Sequence, residues 1–229
     1  MKNWEKLEKE IGVKFNNKDL LRQAFVHRSY LNEHRDFKLF HNERLEFLGD
    51  AVLELVVTEY LYQNYPNPEG ELTNWRAALV RGETISKVAR RLGFNDYLYL
   101  SRGEAKSVGR ARDLILANTF EALVGAIYLD KGFEAAKNFI HKHLIPELPG
   151  IIKKKLYIDT KSRFQEEAQE KVKITPVYKV LKEEGPDHNK IFTVGVYLED
   201  KLVGKGKGPN KQMAELEAAK DALKNYHFN

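Results

Sequence analysis

The sequence predicts two domains in series: an all-α front, then a small α+β tail of order α-β-β-β-α. Three observations predict it. Apolar residues in the front recur at helical spacing, as in Leu20, Leu21, Ala24 and Phe25 and again in Ile85, Val88, Ala89 and Leu92. Glycine and proline fall between such segments, as in Tyr65-Pro66-Asn67-Pro68-Glu69-Gly70, and not inside them. Towards the end the period changes, and β-branched and aromatic runs such as Ile191-Phe192-Thr193-Val194-Gly195-Val196-Tyr197-Leu198 read as strands.

The helical pattern of the front breaks at Leu144-Ile145-Pro146-Glu147-Leu148-Pro149-Gly150, and the charged run Lys153-Lys154-Lys155 follows. Such a run suits a short exposed connection. The front is therefore assigned to residues 1–149, a linker to 150–158 and the tail to 159–228. In the tail, residues 160–172 form a helix with Phe164, Ala168 and Val172 on one face. Strands follow at Val177-Tyr178-Lys179-Val180-Leu181, at residues 191–198, and at Lys201-Leu202-Val203-Gly204 after a tight hairpin at Glu199-Asp200. Asn210 is the expected N-cap of a last helix through Ala214, Ala218, Ala219, Ala222 and Leu223.

Composition narrows the function classes. The 229 residues carry 38 Lys and Arg against 33 Asp and Glu, a net charge of +5. Residues 1–150 hold 22 basic and 21 acidic side chains, and the remainder 16 and 12, so a nearly neutral front precedes a basic back. A basic tail suits a polyanionic partner, though solvated lysines alone give the same count. No stretch approaches the ~18 apolar residues of a membrane span, which argues against an integral membrane protein. There is no cysteine, hence no disulfide, thiolate metal site or cysteine nucleophile. Met1-Lys2-Asn3-Trp4-Glu5-Lys6 leads into mixed charge and not into an apolar leader, so a cytoplasmic protein is expected.

Two segments carry acids on apolar helices. In His41-Asn42-Glu43-Arg44-Leu45-Glu46-Phe47-Leu48-Gly49-Asp50-Ala51-Val52-Leu53-Glu54-Leu55-Val56-Val57, the four-residue spacing stacks Glu46 on Asp50, with Glu54 a turn further on. Its apolar surroundings predict a helix buried on most sides. Leu114-Ile115-Leu116-Ala117-Asn118-Thr119-Phe120-Glu121-Ala122-Leu123-Val124-Gly125-Ala126-Ile127-Tyr128-Leu129 is apolar except at Asn118, Thr119 and Glu121, the pattern of a central helix. The acids are either a narrow solvated stripe or a site. Brought together, Glu46, Asp50, Asn118 and Glu121 would offer only oxygen donors, which suit Mg²⁺ or Mn²⁺.

The run Asn42-Glu43-Arg44-Leu45-Glu46-Phe47-Leu48-Gly49-Asp50 resembles the signature of the ribonuclease III endonucleases. His27-Arg28-Ser29-Tyr30, Glu69-Gly70-Glu71-Leu72-Thr73, Gly103-Glu104-Ala105-Lys106-Ser107 and residues 120–130 fit the bacterial pattern of that family, and the tail resembles its double-stranded-RNA-binding domain. The resemblance covers essentially the whole chain. It implies an all-α endonuclease domain and an α+β RNA-binding domain in a homodimer. It further implies a Mg²⁺-dependent enzyme (Mn²⁺ may substitute) that cuts both strands of an RNA duplex. The products would carry 5′-phosphate and 3′-hydroxyl ends with a short 3′ overhang, in the maturation of ribosomal and other structured RNAs.

Carried over by position, Glu46, Asp50 and Glu121 match the family's metal-binding carboxylates, with Asp50 and Glu121 as the catalytic pair. Glu43 matches a residue supporting the active site and the subunit interface. Glu69 and Glu104 match acids near the RNA cleft, or are ordinary loop acids. His27 and His41 are expected to be structural. Asn118 departs from the family, which has Asp there. An amide oxygen still coordinates a hard cation but adds no charge. The substitution is compatible with retained activity, with weakened cleavage or with an inactivated variant, and a duplex-RNA-binding regulator is the alternative function. Val108 stands where the family has Gly.

The resemblance also implies the RNA contacts. Gln165 and Glu166 would meet one minor groove, and Pro186 and His188 the next. Lys211 would meet phosphates at the start of the last helix. Gln212 replaces a second lysine there, for which Lys205 and Lys207 compensate. Arg102, Lys106, Arg110 and Arg112 are candidates to line the cleft of the front domain.

Overall fold

The computed structural model describes residues 2–157, 160–186 and 190–226. The chain divides into two units, Met1–Tyr157 and Ile158–Asn229. The first contains nine α-helices among its described residues: α1 (Trp4–Ile11), α2 (Lys18–Ala24), α3 (Arg28–Glu33), α4 (Glu43–Asn64), α5 (Glu69–Val80), α6 (Gly82–Arg91), α7 (Arg110–Lys131), α8 (Phe133–His143) and α9 (Leu148–Lys153). Asparagines start the first two. The Asn3 side chain accepts from the Lys6 amide and Asn17 from the Asp19 amide, each capping an otherwise open helical donor.

The two 22-residue helices α4 and α7 pack on each other at the centre. Leu53, Val56 and Val57 of α4 and Phe120, Leu123, Val124 and Ile127 of α7 are fully buried. Glycine lets the two backbones touch. A Cβ on Gly49 would overlap the Glu121 carbonyl oxygen and lie 2.8 Å from the Gly125 amide nitrogen. A Cβ on Gly125 would in turn overlap the Leu45 carbonyl and lie 3.1 Å from the Gly49 nitrogen. Each glycine costs helix propensity of about 1 kcal/mol relative to Ala, and the close crossing is what that cost supports.

Two expectations change. Helix α4 is not buried on most sides: Phe47 is 83% exposed, Leu55 57% and Tyr62 81%, while Ala51 between them is also exposed. At spacings of four, four and seven these side chains lie on one face, leaving an apolar stripe in solvent. The predicted linker 150–158 is also largely folded onto the first unit. Its first residues complete α9, Ile151 is 4% exposed in the core, and Tyr157 packs edge-on against Trp75 at 6.1 Å. Arg81 donates from Nη1 to the Leu156 carbonyl at 3.2 Å. Apolar contacts beyond the lysine run hold the chain down to residue 157, although Lys153, Lys154 and Lys155 are exposed as expected.

In the second unit α10 (Thr160–Lys171) precedes β1 (Val177–Glu184), β2 (Ile191–Leu198), β3 (Lys201–Gly208) and α11 (Lys211–Asn225). The strands form an antiparallel sheet in the order β1-β2-β3. Leu181 and Val203 are extra residues where the register shifts. Phe164 and Ala168 of α10 and Ala214, Ala218, Ala219 and Ala222 of α11 bury against Val194, Val196 and Leu198. Asn210 caps α11, accepting from the Met213 amide at 2.8 Å. Gly204, Gly206 and Gly208 alternate along β3 beneath that helix. A Cβ on Gly204 would lie 2.5 Å from the Ala218 carbonyl, and one on Gly208 2.6 Å from the Ala214 nitrogen. Small residues on both elements bring helix and strand into backbone contact.

Candidate metal centre and RNA-binding surfaces

The start of α4 is fixed before its acids are placed. Asn42 is 4% exposed and donates from Nδ2 to the Ala24 carbonyl at 3.0 Å, while its amide donates to the Val26 carbonyl at 2.9 Å. Its own carbonyl accepts from the Leu45 and Glu46 amides and so opens the helix. Val26 pairs in a parallel bridge with Tyr99, joining this corner to the segment before the 101–109 loop. Sequence reading assigned Asn42 no role, although a buried asparagine at a helix start must satisfy its amide somewhere.

From that start Glu46 and Asp50 rise along one face of α4, and the glycine crossing sets them beside Asn118 and Glu121 of α7. The side chains interact. Burial raises the Glu46 carboxyl above its ordinary value, the charges on Glu43 and Asp50 add to that, and a hydrogen bond from the Asn118 amide opposes it. Glu121 is pushed up to about 8, chiefly by burial and then by the charges of Asp50 and Glu46. Both causes disfavour the charged form of Glu121, and a positive charge beside it would favour that form. Glu54, one turn beyond Asp50, is exposed and does not join them. Among the described residues, no three His, Asp or Glu groups close into a ready-made cation cage. The chemistry of Glu46, Asp50, Asn118 and Glu121 still suits a hard cation: all four donors are oxygens and three are carboxylates, of which Glu46 and Glu121 are disfavoured in the charged form by burial and by neighbouring acids.

The supporting residues separate by environment. Glu43 is exposed at the start of α4, 3.3 Å from Arg28 and 3.7 Å from His41 Nδ1. Glu69 is exposed in the first turn of α5. Glu104 lies in a short 3₁₀ turn within the 101–109 loop. That loop is held from inside by Arg112, whose guanidinium donates to the carbonyls of Glu104, Ala105 and Ser107 at 3.0, 2.9 and 3.3 Å. Arg112 is therefore a scaffold of the loop, while Arg102, Lys106 and Arg110 are exposed. His27 is structural as expected: Nδ1 is 2.7 Å from the Ser29 hydroxyl, which accepts from the Ser101 amide at 3.2 Å.

In the second unit Gln165 and Glu166 are exposed on α10, and Pro186 is exposed at the end of β1. His188 lies outside the described residues. Lys211 opens α11 with its ammonium 3.8 Å from Glu183 and 5.7 Å above the Phe192 ring. Lys190 shares the same carboxylate at 3.6 Å. The structure does not place Lys205 and Lys207 with these groups. They alternate with the glycines that face α11, so they project from the opposite face of the sheet.

Comparison with known proteins agrees with both units. A ribonuclease-III-like family profile matches residues 17–148, and a double-stranded RNA binding motif matches residues 160–226. Ribonuclease 3 of Enterococcus faecalis is 46% identical over 220 residues, covering 95% of each chain. Ribonuclease 3 of Streptococcus pneumoniae is 46% identical over 218 residues, covering 95% of this chain and 94% of that one. A solved nuclease domain of ribonuclease III from Campylobacter jejuni superposes with a TM-score of 0.58 at 40% identity, covering 64% of this chain and 99% of that one. An all-α unit with acids gathered on two crossing helices, followed by a double-stranded-RNA-binding fold, places the chain in the ribonuclease III family of endoribonucleases.

Proposed function

We propose that the chain is a homodimeric, Mg²⁺-dependent endonuclease of duplex RNA that leaves 5′-phosphate and 3′-hydroxyl ends with a short 3′ overhang. The observation that carries this reading is the gathering of Glu46, Asp50, Asn118 and Glu121 across the Gly49–Gly125 crossing, with the Glu121 carboxyl pushed up to about 8. Glu46, Asp50 and Glu121 would hold the cation, with the Asn118 amide oxygen as a neutral fourth donor. When bound, the ion supplies Lewis acidity toward a phosphoryl oxygen and lowers the pKa of the attacking water. The chain's own part is to keep its carboxylates oriented from two rigid helices and to release the proton of Glu121 as positive charge arrives. In the tail, Lys211, Gln165, Glu166 and Pro186 would hold the duplex through phosphates and 2′-hydroxyls, since A-form RNA hides its bases. Structured RNAs such as ribosomal precursors, met in the cytoplasm, are the substrates this reading assigns.

The homodimer is supported by the exposed apolar stripe of α4, Phe47, Ala51, Leu55 and Tyr62. An isologous two-fold contact would let each protomer bury the other's stripe. Incubation of labelled duplex RNA with Mg²⁺ and with EDTA tests the activity. Metal-dependent products with short 3′ overhangs support cleavage. A gel shift with no product in either condition supports the alternative, a duplex-RNA-binding regulator, for which Asn118 is the reason.

A further inference from the structure

The face of the β-sheet turned away from α10 and α11 has no part in the reading above. Strand pairing lays three rows across it. Val177, Tyr197 and Leu202 form the first, Lys179, Gly195 and Lys205 the second, and Lys182, Thr193 and Lys207 the third. The lysines thus stand in two columns, on β1 and on β3, with β2 as a lane between them. Adjacent strands are ~4.8 Å apart, so the columns are roughly 10 Å apart at the backbone. The floor of the lane is low and apolar. Gly195 has no side chain, and a Cβ there would lie 2.7 Å from Leu202 Cδ1 and 3.0 Å from Leu181 Cδ1, so both leucines lean over it.

This surface has two unmet properties. Val177 is 49% exposed and Leu181 40%, and Leu202 and Ile191 extend the apolar strip. Among the described residues, Glu184 is the only carboxylate the strands bring to this face. It is tied to Lys182 at 2.7 Å, leaving the face with a net positive charge. Contiguous exposed apolar surface rimmed by charged side chains is the character of a protein interaction site.

We propose that this outer sheet face docks an extended acidic protein segment that carries aliphatic side chains between its carboxylates. The carboxylates would meet the two lysine columns, and the aliphatic groups would pack on Leu181, Leu202 and Val177. The face selects this occupant over the other two classes available. A second copy would set lysine columns against lysine columns. Single-stranded nucleic acid binds such platforms by stacking bases on open aromatic rings. Here the apolar groups are aliphatic, and the one ring, Tyr197, carries the Lys179 ammonium 4.9 Å from its centroid. The surface lies opposite the helices that hold the duplex in the proposed function, so duplex and peptide would bind together.

The test uses the full chain and a fluorescein-labelled peptide of alternating Glu and Leu, followed by anisotropy. Saturable binding that weakens with salt is expected. Lys179→Glu/Lys182→Glu should weaken it about tenfold or more, near 1.4 kcal/mol, with duplex-RNA binding unchanged. Leu202→Ser, which keeps every charge, should weaken the Glu–Leu peptide and leave the weak binding of a poly-Glu peptide as it is. Circular dichroism melts confirm that the variants fold. Absence of saturable binding, or equal binding by the folded double variant, overturns the proposal. Displacement of the peptide by single-stranded RNA that the double variant no longer holds also overturns it, and assigns the face to RNA.

Discussion

The side-chain amide of Asn118, on α7, acts on the Glu46 carboxyl, on α4, and favours its charged form against the effect of burial. A carboxylate at 118 could not do this. It would instead place a like charge beside Glu46. Asn118→Asp is therefore expected to act in two directions. In EDTA the variant should be less stable, because four acids crowd one spot. In Mg²⁺ the extra charge should tighten ion binding by on the order of tenfold and raise cleavage at sub-saturating metal. A Mg²⁺ titration of cleavage beside the parent chain checks this, and an unchanged or right-shifted titration would show that charge at 118 does not limit the site.

Gly49 and Gly125 set the spacing of the two acid-bearing helices. Gly49→Ala puts a methyl group on the Glu121 carbonyl, and backbone cannot yield as a flexible side chain does. Overpacking of this kind costs about 1–3 kcal/mol. Urea unfolding should show that loss, together with reduced cleavage. Gly150→Ala, where the added carbon would meet nothing within 4 Å beyond its chain neighbours and its own helix backbone, is the control. Equal stability of Gly49→Ala and the parent would mean that α4 and α7 do not cross as closely as described.

His143 is 8% exposed, with Nε2 3.0 Å from the Ile11 carbonyl. Burial lowers its pKa below 6.5, Lys142 and Arg91 lower it further, and the bond to Ile11 opposes them. His27 and His141 are lowered too, each chiefly by burial. In the unfolded chain an imidazole titrates near 6.5. Below that pH the unfolded state binds protons that the folded histidines refuse, so their contribution to stability is full above about 6.5 and falls as pH drops toward the folded values. Glu121, raised to about 8, takes up its proton between pH 8 and pH 5.5 and acts with the opposite sign, so urea midpoints at the two pH values are compared between the parent and His143→Gln. The variant should be favoured over the parent on going to pH 5.5, and an identical pH slope would remove His143 from the account.

Glu183 holds both Lys190 and Lys211. Exposed pairs of this kind contribute little stability, about 0–1 kcal/mol. Their larger effect is to lower the positive potential where phosphate would bind. Glu183→Gln should tighten duplex-RNA binding at low salt by about two- to fivefold and steepen its salt dependence, with little change in melting temperature. Weaker binding would instead mean that Glu183 orients Lys211 for the phosphate.

Phe47 is the most exposed large apolar residue of the chain's described portion, at 83%. Phe47→Glu puts a charge in the stripe proposed as the two-fold contact. Sedimentation should shift from dimer to monomer, at a cost to association of about 2 kcal/mol or more. A variant that sediments as the parent does would place the dimer contact elsewhere.

Much of this was legible in the chain itself. The apolar period fixed the helical front, the β-branched runs fixed the three strands, and the spacing of Glu46, Asp50, Asn118 and Glu121 put each pair on one helix face, because these are local properties of a backbone with fixed periods. Other features depended on what meets what across the core. Spacing within a helix cannot show that Gly49 and Gly125 allow two backbones to touch, that Asn42 donates its side-chain amide to Ala24, or that Arg112, expected to line the cleft, props the 101–109 loop from inside. It likewise hid Phe47 and Leu55, whose apolar character reads as core until a neighbour is found to be missing. Lys205 and Lys207 show the limit most directly. Sequence supplied their charge, but only the packing of Gly204, Gly206 and Gly208 under α11 decided which side of the sheet that charge would face.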